Sequence, residues 1–97
     1  MAILHVVLLA LKDGMESEDR QRVHREFKAS IRQVPGVESV EFGQNFRPTE
    51  SQFTDVIVVK LNDRDALAAY GPHEKHQEAG RLLGPYIKDV LALDLEV

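Results

Sequence analysis

The segment Ile3-Leu4-His5-Val6-Val7-Leu8-Leu9-Ala10-Leu11 is apolar at both parities, the pattern of a strand covered on both faces. Phe53 to Leu61 is β-branched and again apolar on both sides, apart from Asp55. The closing run, Ile87 to Val97, sets Leu91, Leu93, Leu95 and Val97 against Val90, Ala92, Asp94 and Glu96, predicting a strand with one strongly apolar face. Val37 to Phe42 alternates as well, with Val40 and Phe42 opposite Ser39 and Glu41, so one side of that strand is expected to be wet.

Helical spacing fills the gaps. Lys12-Asp13-Gly14 ends the first run, Ser17 is the expected N-cap with Glu18 and Asp19 in the first turn, and Val23, Phe27, Ile31 and Val34 then share one helical face up to Pro35-Gly36. Gly43 to Gln52 reads as a loop. Asn62 or Asp63 caps a short helix through Tyr70, Gly71-Pro72 interrupts it, and a second helical stretch runs from about His73 to Leu83 before Gly84-Pro85.

The order βαββαβ predicts an α+β, ferredoxin-like fold: an antiparallel four-stranded sheet with helices on one face. Those helices cover only one side, yet strands one, three and four are apolar on both. If Leu4, Val6 and Leu8, Val56 and Val58, and Leu91, Leu93 and Leu95 share the other face, a second copy is expected to cover it as a homodimer. In water such a patch would promote aggregation.

Composition narrows the function. At 97 residues the chain makes one domain, 1–97, with a modest core that oligomerisation would supplement. A net charge of −4 and the lack of any Lys/Arg-rich run exclude a nucleic-acid footprint and an anionic membrane surface as partners. The absence of cysteine excludes a thiol nucleophile, a thiolate zinc site and an Fe–S cluster, and fits a cytoplasmic setting. The apolar start has no basic flank and no small-residue cleavage site, and it is too short to span a bilayer, so it reads as a strand.

One ionisable residue interrupts the helix-facing parity of each long strand: His5, Asp55 and Asp94. Burying such groups is costly unless they are paired, so three together suggest a shared polar pocket, although each alone is satisfied by an ordinary structural hydrogen bond. In Tyr70-Gly71-Pro72-His73-Glu74-Lys75-His76 a phenol and two imidazoles lie at a helix break. His73 and His76 share a helical face, but no third ligand stands at a diagnostic spacing, so no metal is expected. An acid–base reading fits better: His76 as base, oriented by Asp94 and assisted by Tyr70, to remove a proton and stabilise an enolate. The alternative is a helix break in which Tyr70 packs and both histidines face solvent.

These residues resemble the stress-responsive A/B barrel, or Dabb, domain family of the dimeric α+β barrel superfamily. The resemblance covers essentially the whole chain. It rests on His5 within Ile3 to Val7, on Pro35-Gly36-Val37 leading into Val40-Glu41-Phe42-Gly43, and on the Tyr70-x-x-His73-x-x-His76 spacing followed by Asp94. Glu74 stands where the family usually has proline. By resemblance to the family's plant polyketide cyclase, which closes a ring by aldol condensation without a cofactor, His76, Asp94, Tyr70 and His5 are the expected catalytic residues.

The same comparison puts Asp55 where that cyclase has a pocket histidine and Phe27 where it has a tyrosine, while His24 occupies an apolar position. Together with His73 and Ile57 they are the expected substrate-binding residues, in a pocket more polar than the cyclase's. The resemblance implies a cofactor-independent cyclase, lyase or isomerase acting on a small carbonyl or polyketide-like compound. Its alternative is a non-catalytic, stress-related ligand-binding or structural homodimer.

Overall fold

A computed structural model describes residues 1–47 and 50–97. In chain order the elements are β1 (Ile3–Leu11), α1 (Ser17–Ile31), β2 (Val37–Gln44), β3 (Asp55–Leu61), α2 (Arg64–Tyr70), α3 (Glu74–Leu83), a 3₁₀ turn (Gly84–Tyr86) and β4 (Ile87–Glu96). The sheet order is β2-β3-β1-β4 and every neighbouring pair is antiparallel, the ferredoxin-like arrangement that the alternation predicts.

Boundaries shift where capping and pairing decide them. Ser17 opens α1 as its first helical residue; the extended Glu16 holds the cap position and makes no side-chain cap bond. β2 runs on through Gln44, two residues into the expected loop, because Gly43 and Gln44 still pair with Val56 and Asp55. β3 begins only at Asp55, since Thr54 spends its backbone N–H on the Leu9 carbonyl and its hydroxyl accepts from Leu11 N. Pro48 and Thr49, within the expected loop, lie outside the described residues. Asp63 caps α2 by accepting from Ala66 N at 2.8 Å.

The core forms between the sheet and α1 and α3. Val23, Phe27 and Ile31 from α1 meet Val40 and Phe42 of β2, Ile57, Val59 and Leu61 of β3, and Ile3, Leu9 and Leu11 of β1, with Leu83 closing one side. Gly36 makes the turn into β2 with φ of +88°, and a Cβ there would stand 2.7 Å from that of Ala66. Glycine is required twice over, by the backbone and by the approach of α2.

Cross-strand register assembles the opposite face. Leu4 faces Leu95, Val6 faces Leu93 and Val58, and Leu8 faces Leu91 and Val56. The leucines of β4 on this face, Leu91, Leu93 and Leu95, are 44%, 52% and 58% exposed, so an apolar stripe crosses three strands left open by the described residues. β4 is an edge strand and its helix-facing side is open as well: Val90 is 52% exposed, and Ala92 and Asp94 are exposed.

Candidate active site

Pairing of β1 with β4 sets His5 directly opposite Asp94. Their side chains project to the same, helix-facing side, and His5 Nδ1 lies 2.6 Å from Asp94 Oδ1. An ionised carboxylate only accepts, so Nδ1 carries the proton, and in the neutral ring Nε2 keeps the lone pair. Half of Asp94 faces solvent, whereas His5 is largely sheltered, with side-chain exposures of 45% and 17%. This is a carboxylate-oriented imidazole with its basic nitrogen free of any protein partner among the described residues.

The helix break brings two more groups to it. Tyr70, the buried last residue of α2, has its ring centroid 5.6 Å from that of His5 and 4.5 Å from that of His76. His76, in the first turn of α3, donates from Nδ1 to the Gly71 carbonyl at 2.9 Å. The sequence points to Asp94 as the group that orients His76. The structure assigns that role to the Gly71 carbonyl and gives Asp94 to His5. Both imidazoles are thereby held as Nδ1–H tautomers.

Burial pushes the Tyr70 phenol above its ordinary value of 10.0. It remains a neutral hydroxyl at physiological pH and acts as a donor, not as a phenolate base. Among the described residues its hydroxyl makes no hydrogen bond to protein. Asp94, His5, Tyr70 and His76 therefore form one continuous row.

The other expected residues lie elsewhere. Asp55 is fully buried at the start of β3, opposite Leu9, which is four residues from His5 and so roughly 13 Å along the strand. Its Oδ2 accepts from His24 Nε2 at 2.7 Å and lies 3.4 Å from Arg20 Nε, while Oδ1 has no hydrogen-bond partner among the described residues. His24 stacks on Phe42 with centroids 4.0 Å apart, and Phe27 meets Phe42 edge-on. The three strand residues thus form two separate clusters in place of one shared pocket. Ile57 and Phe27 belong to the hydrophobic core. His73 caps α3, its Nδ1 accepting from Lys75 N at 3.0 Å.

A cleft of about 430 Å³ lies between α2 and the end of β4. Ile3, Leu67, Ala68 and Leu95 supply its apolar lining and Asp94, Arg64 and Glu96 its polar one, so of the nine residues expected from sequence Asp94 alone lines it. Arg64 Nη2 meets Glu96 Oε1 at 2.6 Å, and this hydrogen bond holds the Glu96 carboxyl below the usual carboxylate range. Sequence reasoning missed Arg20, Arg64 and Glu96. Arg20 was detectable from its spacing of one helical turn from His24, but Arg64 and Glu96 meet only through the tertiary fold. The described residues contain no group of three or more His, Cys, Asp or Glu able to hold a metal ion.

Residues 3–97 match the stress responsive A/B barrel domain family. The chain belongs to the Dabb family. Solved structures share this Dabb fold throughout. A dimeric ferredoxin-like protein of unknown function from Thermobifida fusca is 21% identical with a TM-score of 0.87, covering 100% of this chain and 92% of its own. A Dabb family protein from Mesorhizobium loti is 22% identical with a TM-score of 0.85, covering 99% and 96%. The hydroxynitrile lyase of Passiflora edulis is 11% identical, again with a TM-score of 0.85, covering 99% and 93%. At these identities the likeness establishes the Dabb fold alone. No functionally curated protein matches the chain.

Proposed function

We propose that this Dabb domain is a homodimeric, cofactor-independent acid–base catalyst of the cyclase, lyase or isomerase kind, acting on a small carbonyl compound in the cytoplasm. The observation that carries the reading is the hydrogen bond of 2.6 Å between His5 and Asp94, which leaves His5 Nε2 as a positioned base. In the proposed step His5 Nε2 takes a proton from the carbon next to the carbonyl, and the electron pair of the C–H bond moves into the enolate. The neutral Tyr70 hydroxyl donates to the enolate oxygen, and His76 offers a second imidazole beside it. Asp94 steadies the imidazolium that forms. Each such contact is typically worth about 10²–10⁴ in rate.

The neighbour from Passiflora edulis is a hydroxynitrile lyase with the same fold, which is consistent with this reading. Dimeric neighbours and the exposed leucine stripe support a second copy seated on the open sheet face. A second reading, a non-catalytic ligand-binding or structural homodimer, is favoured by one observation: the cleft is lined mainly by apolar side chains, and His5 is not among them.

Hydrogen–deuterium exchange at the α-carbon of simple ketones, followed by NMR in D₂O, separates the two. The catalytic reading predicts exchange faster than buffer that His5→Ala abolishes. Exchange no faster than buffer across aliphatic and aryl ketones, with ligand bound, leaves the second reading.

A further inference from the structure

We infer that the substrate carries a carboxylate a few bonds from its carbonyl, and that Arg64 binds it, so that the substrate class is an oxo acid with an apolar tail. The inference rests on the proposed dyad and concerns what flanks it. Along the helix-facing side of β4, Val90, Ala92, Asp94 and Glu96 follow at every second residue, roughly 7 Å apart. The dyad therefore stands between two different environments. On one side are the exposed Val90 and Ala92, which offer an apolar bed. On the other is the Arg64–Glu96 pair, at the wall of the cleft that reaches Asp94.

Arg64 is the one cationic side chain lining that cleft among the described residues, and it is 76% exposed. Its guanidinium already holds a carboxylate, that of Glu96, from a neighbouring element. An exposed pair of this kind contributes little net stability, so a ligand carboxylate can take the place of Glu96, whose side chain is free to turn to solvent. A guanidinium fork accepts a carboxylate in bidentate geometry, which fixes the orientation of the bound acid. The spacing of roughly 7 Å from Glu96 to Asp94 then leaves room for a carbonyl a few bonds from the carboxyl, with the tail over Ala92 and Val90.

The test uses 4-oxononanoate and its methyl ester, the same body with and without the charge, titrated into the ¹⁵N-labelled full chain and read by amide shifts. The acid is expected to shift Ala92, Asp94 and Arg64 and to bind about tenfold tighter than the ester, the order of one charge-assisted hydrogen bond. Arg64→Gln should bring the two ligands to equal affinity, Arg64→Lys should restore part of the difference, and added salt should weaken the acid alone. Equal binding of acid and ester in the wild-type chain would overturn the carboxylate inference and leave the dyad reading standing. Shifts confined to residues away from β4, or no shifts with either ligand, would overturn both.

Discussion

Replacing Leu93 with aspartate places a carboxylate at the centre of the exposed sheet face, opposite Val6 and beside Leu91 and Leu95. Leu93 is 52% exposed in the single chain. Fully burying a leucine is worth about 1.5–3 kcal/mol, so covering the remaining half contributes roughly 1 kcal/mol in each copy. The aspartate forfeits that and adds the cost of desolvating an unpaired carboxylate, at least about 2 kcal/mol per copy. A two-fold interface counts each change twice, giving about 6 kcal/mol and a dimer weakened by about four orders of magnitude. Sedimentation equilibrium at micromolar concentration should give twice the 11.0 kDa chain mass for the wild type and the single mass for the variant. Because residue 93 is already exposed, circular dichroism of the variant should remain that of a folded chain. A Leu93→Asp protein that still sediments as a tight dimer would refute burial of this face, and a wild type that sediments only as monomer would refute the dimer.

Gly36→Ala should lower stability by about 1–2 kcal/mol or more, read as a drop in Tm, because alanine meets both the positive φ and the 2.7 Å approach of Ala66. Asp55→Ala should cost about 3 kcal/mol in urea unfolding, since it strips the partner from His24 and Arg20, two mostly sheltered side chains of α1. Tyr70→Phe should unfold within about 0.5 kcal/mol of wild type, its hydroxyl having no protein partner among the described residues, yet slow α-carbon exchange by about 10²-fold or more. The raised pKa of Tyr70 means the folded state keeps its phenol protonated after the unfolded chain ionises near 10.0. Stability is then at its full value below that pH and falls as pH climbs beyond it, a slope that Tyr70→Phe should reduce.

Much of the fold was legible because alternation reports faces directly. The double-sided apolar runs at residues 3–11 and 53–61 and the leucines of β4 predicted both the sheet and its uncovered side, and the register joins them as expected. Gly71-Pro72 and the cap at Asp63 located the broken second helix. The site was legible as a set of residues but not as a set of partners. Asp94 reaches His5 because β4 pairs with β1, a contact between residues 89 apart that no local spacing encodes. Parity alone put Asp55 on the same face, but it carries no information on position along the strand, and the four-residue offset from His5 to Leu9 separates the two clusters. His73 and His76 share a helical turn, yet one spends a nitrogen on capping α3 while the other is held by a carbonyl, roles decided by the backbone of the break.

The central claim is that Asp94 fixes His5 as an imidazole protonated at Nδ1, with Nε2 free to accept a proton. Long-range ¹H–¹⁵N correlation of the His5 ring tests it most directly. The account predicts a neutral ring with its proton on Nδ1, lost to a mixture of tautomers in Asp94→Asn. A ring protonated at Nε2, or a tautomer unchanged by that substitution, would contradict it.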